Sequence, residues 1–225
     1  MMNKILIILI SFALIKPVAG KTPEPLAKAF EKMEADSIYT YAYLTKTVNR
    51  NASFSESYNP ERPIGQRWKL LSVHGEDADR KKINKSIIEK NRLEKSHKEN
   101  SRRKLDEKDM QNFKLLNDSS NILIYSFELN PKENKKMAEF VEGQIMIDES
   151  QNRIQEITMY NKAPFSPALS VNIDLFRMNM KFQKQDQTGA NKIKSVYTKI
   201  KGTALVFKKI DQEVKIEYFD YKLID

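Results

Sequence analysis

The chain holds two histidines, His74 and His97, and no cysteine, which excludes thiol nucleophiles, disulfides and thiolate metal sites. Neither histidine has a His, Asp or Glu at ligand spacing on a common predicted face. His74 falls in a turn and His97 in a charge-rich helical stretch, so both read as solvated side chains rather than as a metal or catalytic pair. Gly-rich phosphate loops and Gly-x-Ser-x-Gly elbows are missing from the sequence. Serines and carboxylates are plentiful, and a hydrolase site assembled from them in space stands as an alternative. The clearest chemical pattern is apolar. Phe176, Met178, Met180 and Phe182 alternate along one side of a long strand, and large adaptable side chains so placed suit a packed core or a pocket for variable apolar chains. Tyr39, Tyr41 and Tyr43 form a second stripe, either a half-buried face or a pocket rim with apolar rings and polar tips.

The elements that position these residues follow from periodicity. Thr22-Pro23-Glu24-Pro25 reads as a helix start with Thr22 as N-cap, and Leu26, Ala29, Phe30 and Met33 form one apolar stripe ending near Asp36. From Ser37 the period becomes two. Strands are expected to Leu44, over Phe54–Tyr58 and from Trp68 to Val73, with Asn59–Gly65 as a stiff Pro-rich connector. Glu76–Asp109 carries twelve Lys or Arg and nine Asp or Glu, and it reads as one long charged helix. Ile83 and Ile87 would dock its start, and its far end would project into solvent.

Strand patterns resume over Phe113–Asn117, Asn121–Leu129, Phe140–Asp148 and Arg153–Asn161, with Lys162–Pro167 as a loop. Val171–Lys184 is a long strand whose apolar phase flips between Leu175 and Phe176, the mark of a β-bulge. Lys192–Lys201, Thr203–Ile210 and Val214–Tyr221 complete the set, with a kink at Gly202 and a turn at Asp211-Gln212. The lysines of Lys192–Lys201 read as protection of a sheet edge. The fold class is therefore α+β, mainly β. About ten strands joined by short loops form an antiparallel sheet that must curl into a strongly curved half-barrel, accompanied by the N-terminal helix and the long charged helix.

The first twenty residues predict a destination. Asn3-Lys4 is a basic start, Ile5–Ile15 an apolar run, and Val18-Ala19-Gly20 a small-residue cleavage site, together a secretory signal peptide. The run is shorter than the roughly 20 residues a membrane-spanning helix needs. Residues 21–225 then form a single domain with the charged insertion at 76–109. Two lysines and no acids lie in residues 1–20, which leaves +7 of the +9 of the whole chain. With no cysteine to carry an acyl anchor, a periplasmic protein without lipid anchor or transmembrane helix is expected. Export removes nucleic acid as the partner of this positive charge, and no nucleic-acid module occurs. Anionic headgroups could instead attract Arg80, Lys81, Lys82, Arg102 and Arg103.

Asn59-Pro60-x-x-Pro63-x-Gly65-x-Arg67-Trp68-x-Leu70-Leu71-Ser72-Val73-x-Gly75, the Pro164-Phe165-Ser166-Pro167 loop, Phe207–Asp211 and Tyr218-x-Asp220-Tyr221 resemble an uncharacterised group of exported proteobacterial proteins. The architecture resembles the periplasmic outer-membrane lipoprotein carrier, or LolA-like, fold. That resemblance implies an unclosed barrel whose apolar hollow, lidded by helices, holds acyl chains in lipoprotein sorting. The charged stretch 76–109 departs from the carrier pattern. The expected activity is non-enzymatic binding or carriage of an acyl chain or other amphiphile, without metal or cofactor. Its lining would be Phe176, Met178, Met180 and Phe182 with Phe30, Met33 and Tyr41. The alternative is an envelope interaction module whose hollow is filled by its own side chains.

Overall fold

Eleven antiparallel strands form a single sheet in a computed structural model that describes residues 21–36, 40–50, 52–75, 80–95, 107–133, 137–205 and 208–224. In chain order the elements are α1 (Glu24–Ala35), β1 (Thr40–Asn49), β2 (Ser53–Tyr58), β3 (Trp68–His74) and α2 (Arg80–Lys95). A 3-10 turn at Glu107–Asp109 leads into β4 (Met110–Ser119), β5 (Ile122–Leu129), β6 (Val141–Asp148) and β7 (Arg153–Asn161). The chain ends with β8 (Phe165–Ala168), β9 (Val171–Lys184), β10 (Asn191–Ala204) and β11 (Lys208–Ile224). The expected signal sequence, Tyr39, His97, Arg102 and Arg103 lie outside the described residues.

The strand order is β3-β2-β1-β11-β10-β9-β7-β6-β5-β4, with β8 attached to β9 off this path. Most sequence neighbours pair as hairpins. The exceptions are β3 and β4, which are opposite edges, and β7, which pairs with β9 rather than β8. The pairing of β1 with β11 joins the N-terminal and C-terminal strands. The sheet is not closed, because β3 and β4 are its edges. Turn chemistry sets the hairpins where it is local. Ser120 and Asn121, at φ 51° and 67°, form the two-residue β4–β5 turn, whose positive φ angles match the twist of the flanking strands.

The core follows the alternation. Leu123, Tyr125, Phe127 and Leu129 of β5, Val141, Ile145 and Ile147 of β6, and Ile154, Ile157 and Met159 of β7 are buried on one face. Leu26, Ala29 and Phe30 of α1 are buried in the same cluster. Burying a Leu or Phe side chain stabilises by about 1.5–3 kcal/mol, so this stripe fixes α1 on the sheet.

Several expectations are corrected. The residue before α1 is Pro23 rather than Thr22, and no side chain caps the helix. The expected 162–167 loop runs into β8, which begins at Phe165. Strand β10 continues through Gly202 to Ala204, and Asp211-Gln212 is not a turn but part of β11, opposite Lys201 and Ile200. The lysines of β10 do not protect an edge, because β9 and β11 flank that strand. Of the helix expected over 76–109, the described part is Arg80–Lys95, followed by the short 3-10 turn at its far end. The expected bulge in β9 is present. Leu175 pairs with Lys201 and Ile173 with Gly202, which leaves Asp174 as the extra residue and turns Leu175 away from the face that Ile173 and Phe176 share.

Candidate functional site

Directly opposed residues of neighbouring strands share a face, and one row can be followed across the whole sheet. Val73 opposes Phe54, Phe54 opposes Thr47, Thr47 opposes Ile216, Ile216 opposes Val196, and Val196 opposes Met180. From Met180 the row continues through Ile157 and Ile145 to Tyr125. Its two halves differ in cover. Ile157, Ile145 and Tyr125 lie in the core cluster with α1 and are buried, whereas Met180, Val196, Ile216, Phe54 and Val73 are only half-buried, with the buried Thr47 between Ile216 and Phe54. A parallel row through Val214, Thr198 and Met178 changes in the same way, from half-buried to buried at Met159. The sheet thus has one largely apolar face, interrupted by Thr47 and Thr198, that is roofed by α1 over β5–β7 and partly bare over β9–β11.

A buried polar latch holds the C-terminal end of the α1 roof. The Asp36 carboxylate, 2% exposed, accepts the backbone N–H of Asn191 at 2.7 Å and pairs with Lys32 at 3.0 Å and Arg153 at 3.5 Å. Its backbone carbonyl accepts Lys192 Nζ at 2.9 Å. Arg153 also donates to the Gly189 carbonyl, and Asn191 Nδ2 donates to the Ile154 carbonyl at 2.8 Å. These contacts tie α1 to β7 and to the β9–β10 connection at one end of the bare strip.

Helix α2 lies against the other end, on β3 and β2. Ile87 is buried, and Lys90, Asn91 and Glu94 follow at helical spacing on the same stripe. Lys90 Nζ reaches both oxygens of the buried Glu56 and sits 4.5 Å above the Trp68 ring. Asn91 exchanges two hydrogen bonds of 2.9 Å with the backbone of Trp68. Glu94 pairs with Arg67 at 3.4 Å. The docking therefore extends beyond Ile88 by polar contacts. Next to it Tyr43, Tyr58, Trp68, Tyr218 and Tyr221 pack ring against ring, with centroids 5.0–5.9 Å apart. Burial, followed by the neighbouring phenols of Tyr43 and Tyr218, pushes the Tyr221 hydroxyl far above the ordinary phenol range.

The candidate lining residues are placed unequally. Phe176, Met178, Met180 and Phe182 share the apolar face, and all except Met180 pack against the core cluster. Met33 packs there too, whereas Phe30 is buried inside it. Tyr41 is buried apart from these, bonded to Thr188 and edge-on to Tyr221, with Lys192 Nζ 4.7 Å above its ring. Met178 and Met180 thus border the bare strip, and Phe30 and Tyr41 belong to the supporting structure. Val196, Thr198, Ile216 and Phe54 border it as well and were missed from the sequence. Their alternation was visible, but which strands lie beside β9 was not.

Other chemistry is sparse. Arg80 and Lys81 are exposed at the start of α2. His74 ends β3, exposed and opposite Ser53. Among the described residues, no group of three or more His, Asp or Glu side chains is placed to hold a metal ion, and no helix is long and apolar enough to cross a membrane. Two clefts lie away from the bare strip. One, of about 680 Å³, is formed by residues 166–172 with Phe140 and Thr203, and one, of about 690 Å³, lies among the polar side chains of the opposite face around Asn179, Tyr197 and Lys215. Comparison of the chain with family models, curated proteins and solved structures finds no match.

Proposed function

We propose that this chain is a non-enzymatic periplasmic binding or carrier protein of LolA-like type, exported by its first twenty residues. Its sheet would curl into a half-barrel whose bare apolar strip holds an acyl chain or another amphiphile. The observation that carries this reading is the half-roofed apolar face. A sheet that served packing alone would gain by covering β9–β11 as fully as β5–β7. Each Å² of apolar surface withdrawn from water by a ligand contributes about 25 cal/mol, and the exposed parts of Met180, Val196, Ile216 and Phe54 are available for that. The arrangement also supplies two ends to the strip, the Asp36 latch at one and the α2 clasp at the other. Native mass spectrometry of protein gently purified from its own envelope, followed by organic extraction, tests the proposal. A co-purifying lipid-like species is expected, and its repeated absence would count against carriage.

One observation favours the filled-interior alternative at one end. Five rings pack on one another at this end, and Tyr58 and Trp68 among them touch α2, which would confine the proposed ligand to the strip between Phe54 and Met180. Exposed Arg80 and Lys81 at the start of α2 suit contact with anionic headgroups. Vesicle binding that persists unchanged in high salt would exclude that contact.

A further inference from the structure

The β8–β9 and β10–β11 turns end side by side, and each displays a leucine. Leu169 is 98% exposed and Leu205 71% exposed. The two turns are joined, since the Leu205 N–H donates to the Ser170 carbonyl at 2.8 Å, and Ala204 pairs with both Val171 and Lys208. Ser170 and Leu205 are held at φ 65° and 50°, a region that non-glycine residues adopt at a cost. These angles are those of tight hairpin turns, and with them the turns leave both leucines exposed. Lys208 and Lys209 follow the turn on opposite faces of β11, exposed and without an ion pair among the described residues, and exposed Lys201 lies two rungs farther along β10. Glu139 is the acidic side chain on the rim of the adjoining cleft.

We propose that this double tip is a membrane-contact site, which inserts Leu169 and Leu205 into the interfacial zone of an anionic bilayer while Lys208 and Lys209 engage headgroup phosphates. The chemistry favours a lipid surface over a protein groove. Among the described residues of the two turns, the exposed apolar groups are two flexible leucines, without the Trp, Tyr or Arg anchors typical of protein hot spots. The neighbouring lysines can lay their stems along apolar surface while their charges meet the headgroups. The hydrogen bond between the turns makes the leucines one unit, so inserting one places the other. This inference does not depend on ligand carriage, and it uses a surface distinct from α2.

The absence of cysteine permits a clean test on the whole chain without residues 1–20. An environment-sensitive fluorophore is attached at Leu169→Cys or, at the opposite end of the sheet, at Ser150→Cys. Vesicles of phosphatidylglycerol mixed with phosphatidylcholine are expected to blue-shift the label at 169 and not at 150, less so in high salt. Pure phosphatidylcholine is expected to give little change. In co-sedimentation, the Leu169→Ser, Leu205→Ser variant is expected to partition about tenfold more weakly, with an unchanged urea midpoint because both side chains are exposed. Failure of the unsubstituted chain to bind the anionic vesicles, undiminished binding of the double variant, or an equal response at 150 would overturn the proposal.

Discussion

Lys90 Nζ lies 2.6 and 2.7 Å from the two carboxylate oxygens of Glu56, a bidentate pair that joins α2 to β2 across the aromatic cluster. Glu56 is almost wholly buried, and its other close partner is the Thr45 hydroxyl at 3.2 Å. Removing Lys90 therefore strands a buried carboxylate. Breaking a fully buried pair costs about 3–5 kcal/mol, and the 32% exposure of the Lys90 side chain lowers the expectation for Lys90→Met to about 1–3 kcal/mol. Urea unfolding reads the loss, and hydrogen exchange should show α2 protection falling before that of β5–β7. An unchanged midpoint would refute the clasp.

The Asp36 latch makes a second prediction. Asp36→Ala removes the carboxylate that faces Lys32 and Arg153 and leaves the Asn191 N–H without its acceptor, while the backbone carbonyl that accepts Lys192 stays in place. A cost of about 3 kcal/mol is expected, with increased exchange at the end of α1 and the start of β10. Retention of full stability would show that Leu26, Ala29 and Phe30 alone hold the roof.

At Gly202 the bulge in β9 brings the Asn172 carbonyl so close that an added Cβ would collide with backbone rather than with a movable side chain. Gly202→Ala is expected to destabilise by about 1–3 kcal/mol, as overpacking does. The crystal structure of the variant should show the β9–β10 register displaced at Asp174. A variant as stable as the parent would mean that the strands separate there at little cost.

Tyr221 gives a pH dependence. Its hydroxyl donates to the Ile193 carbonyl at 2.7 Å, and burial holds its proton in the folded state well past the ordinary phenol range. An unfolded tyrosine releases its proton near pH 10. The stabilisation is therefore fully present below about pH 10 and lost as pH rises above it, because only the unfolded chain gains by ionising. Tyr221→Phe should cost about 1 kcal/mol at neutral pH through the missing hydrogen bond and flatten the alkaline decline. An alkaline unfolding profile of the same slope in both proteins would contradict this.

The strands around the core were legible because alternation is a local property. The phase flip at Leu175-Phe176 located the β9 bulge to within one residue of Asp174. Pairing order was not legible. That β1 lies beside β11 depends on partners such as Thr47 and Ile216, which no local pattern connects, and so β10 was misread as an edge. Asp211 and Gln212 have turn-like composition, yet ladder pairing and the Asp211 ion pair with Arg50 at 2.6 Å hold them in a strand. The grip of α2 was hidden for a similar reason. Lys90, Asn91 and Glu94 read as a solvated stripe until Glu56, Trp68 and Arg67 are known to face them.

The central claim is that the strip bordered by Met178, Met180, Val196 and Ile216 takes up an acyl chain. Titration of the chain without residues 1–20 with a fluorescent polyene fatty acid, beside a Met180→Trp, Val196→Trp variant that fills the strip, tests it most directly. Saturable one-to-one binding, with the emission of an apolar environment, is predicted for the parent, and at least about tenfold weaker binding for the filled variant. No saturable binding to the parent, or equal binding to both folded proteins, would contradict the claim.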